Sequence, residues 1–262
     1  MLRSLQSILH DRLERAIEGS NDSRLDIPIK GDTNAMQVRY RSAIAFKLSP
    51  HLHRTPIEMA RDIASIFNSG DDRRTDKRSF AIAVSDPGWL DFRPTDGTLA
   101  CWLQDLLSAE FPTVPTSTVP SGRSAFFVQY THARCCSWLR LAEREGLLSL
   151  EAKTLNITAP DPIPWSNDRT LIFQHAAERS LVAQLVAIFD ALECSKSFNA
   201  FEFAERLSQR FETFERQCQI VGAVARNPPH PIQGRSGLVS ATQKILNALL
   251  QQGLGLVSPY KL

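Results

Sequence analysis

Apolar residues recur at helical spacing from the start of the chain, at Leu2, Leu5, Ile8, Leu9, Leu13 and Ile17, and Gly19 ends the run. LDIPI (25–29) predicts a short strand, and 36–49, with Val38, Ala43, Ala45, Phe46 and Leu48, a weakly patterned helix. Thr55 supplies a cap, Pro56 a first helical residue with its φ already set, and Glu58 an acid in the first turn. That helix is predicted to run to about Asn68 and close at Ser69-Gly70, before a solvated loop, GDDRRTDKR, at 70–78. The alternation in SFAIAVSD (79–86), the Pro87-Gly88 turn and WLDF (89–92) predict a β-hairpin, and Thr98–Glu110 is helical again. Residues 1–110 thus read as an α+β domain.

Residues 111–122, FPTVPTSTVPSG, hold three prolines and no charge, the composition of an extended linker, so the domain boundary is placed here. From 123 to 262 the period is helical throughout. Helices are predicted at Ser124–Gly146, 168–192, 199–224 and Ser236–Gly253, with a loop at 154–165 and a break at RNPPHPIQG (226–234). In the first of them Phe127, Tyr130, Ala133, Leu139 and Leu141 are apolar. An all-α bundle of four or five helices is the expected assembly.

Composition narrows the class. The 262 residues are 43% hydrophobic and 22% charged, ordinary for a globular chain long enough to bury a core without staples. No apolar run reaches the roughly 18 residues of a membrane helix. The first segment, interrupted by Asp11 and Glu14, lacks the form of a secretory signal, so a cytoplasmic location is expected. The five cysteines form no C-x-x-C pair and read as free, mostly buried thiols. Net charge is only +2, but the basic residues are 23 Arg against 7 Lys, and Arg suits a bidentate grip on phosphate. Two zones are basic: Lys30, Arg39, Arg41, Lys47 and Arg54 against the single acid Asp32, and Arg216, Arg226, Arg235, Lys244 and Lys261 with no acid from 216 to the end. Such zones suit an extended polyanion, or else solvated helix faces in an Arg-rich chain.

Catalytic constellations are not found. The chain has no G-x-x-x-x-G-K-[ST] loop, no G-x-G-x-x-G and no G-x-S-x-G elbow. His51 and His53 form H-x-H without a carboxylate cluster, His132 lies mid-helix without an evident partner, and Asp71-Asp72 read as solvated charge. No cofactor or metal is implied.

The motifs that remain carry a family resemblance. The stretch Phe127-Val128-Gln129-Tyr130-Thr131-His132-Ala133-Arg134-Cys135-Cys136-Ser137 resembles the V-Q-Y-A-H-A-R-I-C-S helix that opens the DALR anticodon-binding domain of arginyl-tRNA synthetases. Arg206–Phe211 with Phe214 and Cys218 resembles a later family helix, L-A-Q-x-F-x-x-F-Y-x-x-C. Ala241, Ile245-Leu246, Gly253-Leu254, Leu256, Pro259 and the ending Tyr260-Lys261-Leu262 resemble the last one. In the first half, Ala45–Leu48 with Thr55–Ala60, and Ser85–Phe92, resemble the family's additional N-terminal domain, with Gln37–Tyr40 departing from its acidic-Gly start. Between these parts the family carries a nucleotide-binding core with H-I-G-H and K-M-S-K-S, and neither motif occurs here.

The resemblance implies a non-catalytic tRNA-binding protein. It would recognise tRNA-Arg through the anticodon loop and through the D-loop at the elbow, serving a tRNA-modifying enzyme or a synthetase. A protein-interaction module on the same scaffold, or a subunit completed by a separate catalytic chain, are the alternatives. Unpaired bases can be splayed onto aromatic and Arg planes. Tyr130 and Arg134, one turn apart, with Gln129, are the anticodon candidates, and Lys261 is a further basic candidate at the end of the tail. Phe92, Arg93, Arg39 and Arg41 are the elbow candidates. Tyr130 and Phe92 read equally well as core residues.

Overall fold

The computed structural model describes residues 2–17, 26–32, 37–69, 78–120, 123–151, 154–195, 197–218 and 229–261. Residues 70–77 of the loop predicted at 70–78, with Asp71-Asp72, the end of the helix predicted over 199–224 and the first part of the break at 226–234 lie outside these residues. So do Leu25 at the edge of the first predicted strand and Arg226.

The first half is α+β. Helix α1 (Leu5–Ile17) buries Leu5, Ile8, Leu9 and Leu13, the stripe its spacing demands. A four-stranded antiparallel sheet follows in the order β1 (Ile29–Gly31), β2 (Tyr40–Ser42), β4 (Trp89–Pro94), β3 (Phe80–Ser85). Helices α2 (Ile44–Leu52), α3 (Pro56–Ser69) and α4 (Asp96–Ser108) complete it. The structure corrects the reading of 25–49. The first strand lies at 29–31, and residues 40–42 are a central strand rather than helix. Tyr40 and Ser42 point into the core with Arg41 between them outside, a period of two too short to register against the helical pattern that follows.

The predicted start of α3 forms as a capping box. The Thr55 N–H donates to Glu58 Oε2 at 3.0 Å, and the Glu58 N–H reaches Thr55 Oγ1 at 3.4 Å. The hairpin turn packs on this helix start. A Cβ on Gly88, whose φ is +148°, would lie 2.7 Å from the Pro56 carbonyl carbon, so the position requires glycine.

The second half is helical: α5 (Phe126–Arg144), α6 (Ala176–Cys194), α7 (Ala200–Gln217) and α8 (Pro229–Ala248), closed by a π-helical turn at Leu249–Gly253. Two short strand pairs interrupt the helices, β5 (Ser149–Leu150) with β6 (Ile157–Ala159) and β7 (Ser166–Asn167) with β8 (Thr170–Leu171). Helix α6 therefore begins at 176 rather than 168. Helix α8 begins inside the predicted break, because a first turn tolerates proline where the interior does not.

Residues 111–120 have no regular structure, but they are not a free spacer. Val114 is buried, and its N–H donates to Gln252 Oε1 at 3.2 Å. The Ser117 N–H donates to the Gly253 carbonyl at 2.7 Å, and Ser117 Oγ accepts from the Ala200 N–H at 3.0 Å. A single hydrophobic core runs through both halves. Trp102 of α4 meets Phe189 of α6 edge-to-face at 5.4 Å. Arg179 forks onto Asp96 at 2.7 and 3.2 Å. Lys244 of α8 donates to the Leu107 and Ala109 carbonyls at the end of α4, a cation on a helix C-terminus.

Acids of α6 receive the first backbone amides of the chain. The Ser4 N–H donates to Glu193, the Gln6 N–H to Asp190 at 3.0 Å, and Tyr40 Oη to the same Asp190 at 2.7 Å. Burial pushes the Asp190 carboxyl up to about 7, against the lowering effect of these hydrogen bonds.

Candidate nucleic-acid interface

Helix α5 is buried over a wide arc. Val128, Thr131, His132, Ala133, Cys135, Cys136, Leu139 and Ala142 all face protein, leaving a narrow exposed stripe at Phe126, Tyr130, Arg134 and Ser137. Adjacent Cys135 and Cys136 are both fully buried, since α7 and α8 cover the helix from two sides. Cys218 is buried too, but Cys101 and Cys194 are exposed, so the expectation of mostly buried thiols holds for three of five. Burial pushes the Cys136 thiol up to about 11.

Tyr130 is exposed, at 46%, and Phe126 more so, at 61%. Their rings are stacked, with centroids 6.3 Å apart and planes at 28°. The reading of Tyr130 as a core residue is thereby excluded. Phe126, one residue before the motif quoted above, escaped the sequence reading. Its place four residues before Tyr130 was the available signal.

The end of the chain is pinned along this stripe. Gln129 Nε2 donates to the Val257 carbonyl at 2.8 Å, and an Arg140 guanidinium nitrogen to the Tyr260 carbonyl at 2.9 Å. His132 Nδ1 lies 2.9 Å from the Pro259 carbonyl and its Nε2 lies 2.8 Å from Gln243 Nε2. The carbonyl can only accept and the amide only donate, so His132 is the neutral Nδ1–H tautomer. Burial lowers its pKa, which the bond to Pro259 only partly offsets. His132 is thus a clamp for the tail. The tail brings Val257 and Tyr260, 76% and 42% exposed, to the same surface, and Lys261 is exposed beyond them. Gln129, read as a contact residue, spends its amide on the tail. Arg134 is held by Glu215 of α7 at 2.6 Å and lies over the Trp138 ring at 5.3 Å from its centroid.

The elbow candidates separate. Phe92 is fully buried on the inner face of the sheet, 5.3 Å from the Phe67 ring, so it is core and not a contact residue. Register explains it. Phe92 pairs with Tyr40, and both point inward, whereas Arg41, Asp91 and Arg93 point out. The outer face carries Lys30, Arg39, Arg41, Trp89, Asp91 and Arg93 around an open hollow of about 790 Å³. Arg41 forks onto Asp91 at 2.6 and 3.1 Å, and that carboxyl sits below its usual range because the Arg41 and Ser85 bonds outweigh desolvation.

The two basic zones are thinner than their sequence suggests. Lys47 pairs with Asp26, Arg54 with Asp62, and Arg235 with Glu178, while Lys244 caps α4. Acids outside the two zones neutralise what a local count leaves positive.

Among the described residues, one group, His10, Asp11 and Glu14 of α1, brings three possible ligand atoms within 4.8 Å. The sequence reading passed it over. Asp11 is engaged by Arg3 at 2.8 Å. No helix among the described residues is long and apolar enough to cross a membrane.

A helical bundle that presents a stacked aromatic pair beside a basic tail has the features of a base-binding module. Residues 128–262 match the DALR anticodon binding domain, just over half of the chain, and the chain belongs to that family. It is similar to the arginine–tRNA ligase of Synechococcus sp. (strain JA-3-3Ab), with 31% identity over 137 residues, 51% of this chain and 21% of that one. The ligases of Gloeobacter violaceus (32% identity, 48% and 20%) and Chloroflexus aurantiacus (33%, 51% and 21%) are similar over like shares. The chain thus covers about a fifth of the length of these relatives, and the synthetase catalytic core is absent from its 262 residues.

Proposed function

We propose that this chain binds tRNA, and tRNA-Arg in particular, without catalysing aminoacylation itself. The observation that carries the reading is the exposed Phe126–Tyr130 ring pair, on the first helix of a bundle matched to an anticodon-binding domain. Anticodon bases are unpaired and available for stacking, and adjoining exposed aromatic rings mark an interaction surface. The similarity to arginine–tRNA ligases supports the choice of tRNA. Lys30, Arg39 and Arg93 on the outer sheet face, and Lys261 on the tail, are candidate phosphate contacts, while Arg41 is engaged by Asp91. Phe92 is withdrawn from the set. An adaptor role, delivering the tRNA to a modifying enzyme or a synthetase, fits the division of labour between recognition and chemistry.

The test is RNA that co-purifies with the tagged chain, followed by binding to purified transcripts. Enrichment of arginine acceptors is expected, with the affinity lost in Tyr130→Ala. A flat tRNA profile with binding unaffected by Tyr130→Ala sinks the anticodon reading. No retained RNA, with an unrelated protein partner in its place, favours the interaction module instead.

A further inference from the structure

Three exposed arginines on the candidate RNA surfaces are built alike. Arg134 lies over Trp138 at 5.3 Å and is held by Glu215 at 2.6 Å. Arg123 lies over Phe201 at 5.9 Å and is held by Glu205 at 3.0 Å. Arg41 lies over Trp89 at 5.5 Å and is held by Asp91 at 2.6 Å. In each clasp the guanidinium carbon lies over a ring and a carboxylate engages the guanidinium nitrogens. The arginine side chains stay 45–55% exposed, so N–H donors remain for a ligand. Arg123, just before α5, and Arg134 on it flank the Phe126–Tyr130 pair in sequence, and both their carboxylates come from α7.

Glu215 is the most enclosed of the three acids, at 18% exposure, and it also accepts the Trp138 indole N–H. A carboxylate so fixed cannot swing away. It cancels much of the charge that would draw a phosphate to Arg134. A backbone phosphate alone therefore gains little here. A nucleotide whose base also stacks on Tyr130, one turn away, has a second source of binding. The bases of a duplex are stacked on one another and cannot supply it.

We propose that Glu215 is a specificity-determining residue: it holds Arg134 over Trp138 and half neutralised, so that this face rejects paired RNA and retains nucleotides with unpaired bases. The proposal rests on the tRNA-binding reading given above. Glu215→Gln keeps an acceptor for Trp138 and Arg134 but removes the charge. Wild type and variant are titrated with a tRNA-Arg transcript and with a blunt RNA duplex of equal charge. Duplex affinity is expected to rise about tenfold and tRNA affinity by less than about threefold, since a ligand held by phosphate contact alone depends most on the charge freed at Arg134. In an Arg134→Ala background the same substitution is expected to change duplex binding by less than about twofold, because Glu215 acts through Arg134.

Equal gains on both RNAs, no gain on either, or a duplex gain that survives in Arg134→Ala overturns the proposal. If thermal unfolding shows that Glu215→Gln does not fold, Glu205→Gln at the second clasp is held to the same comparison, with Arg123→Ala as its background. A wild type that binds neither RNA overturns the tRNA reading itself and takes this proposal with it. A wild type that binds tRNA while the variants leave the ratio unmoved overturns the clasp alone.

Discussion

Tyr130 and Phe92 have the same sequence credentials, an aromatic residue within a family motif, and opposite fates. Tyr130 is half exposed and stacked only on Phe126, while Phe92 has no exposed surface and packs on Phe67. Substitution should therefore split function from stability. Tyr130→Ala is expected to lower tRNA affinity about tenfold or more, the worth of one stacked base, while the melting temperature holds. Phe92→Ala is expected to cost about 3–5 kcal/mol in chemical denaturation, the usual loss for a buried ring. A Tyr130→Ala variant that melts early, with its RNA affinity intact, contradicts the placement of Tyr130.

Helices and strands carry the next level of consequence, because their ends meet across the molecule. The amides at the start of α1 and the Tyr40 hydroxyl of β2 converge on Asp190 of α6. Its carboxyl titrates near 7 in the folded chain against an ordinary 3.8. A group raised in this way contributes stability that is complete below about pH 4. That contribution is lost as pH rises through 7. His132 works in the other direction. Its folded pKa lies below the ordinary 6.5, so its contribution is present above 6.5 and falls away as pH drops below it. The two overlap, so the difference between wild type and Asp190→Asn isolates the first. The variant is expected to gain on wild type steadily between pH 4 and 7 and to run parallel above, by urea melts. A constant difference across that range would show that Asp190 is not the titrating group. At the strap between the halves, Ser117→Ala removes the acceptor of the Ala200 amide and is expected to cost about 1 kcal/mol.

At the scale of the whole molecule, packing decides how RNA can be met. A linker swinging free would let two domains reach two places on one tRNA independently. Here residues 111–120 are bonded to the bundle, and Trp102, Asp96 and Lys244 join the halves through one core, so the outer sheet face and the α5 stripe keep a fixed relation. Several of the basic residues that give the chain its apparent polyanion zones are paired with acids. The salt dependence of tRNA binding should accordingly be moderate. If Lys30, Arg39, Arg93 and Lys261 are the phosphate contacts, the log–log slope is expected near −3 to −4, about one unit per contact displaced. A slope steeper than about −8 would mean that the paired arginines open to RNA, against the clasps described above.

Much of this protein is written in runs of a few residues. The stripe of α1, the Thr55–Glu58 box, the Pro87-Gly88 turn and the motif on α5 are local, because capping, turn geometry and amphipathic spacing depend on neighbours within about one helical turn or strand pair. The fold class and the family were legible for that reason. The fate of single side chains was not. Whether Phe92 or Arg93 faces out depends on register against Tyr40 and on the sheet's burial of one face, and a shift by one residue would invert it. Arg134 meets its acid 81 positions away, Arg41 50 away, and Tyr40 its buried carboxyl 150 away. No periodic pattern reports on pairs so far apart. The sequence alone determined most of the helices, the hairpin and the family they belong to. Only the tertiary structure decided which arginines remain half exposed yet clasped, which aromatic rings face water and how the two halves are joined, because these follow from contacts that exist only after the chain has closed on itself.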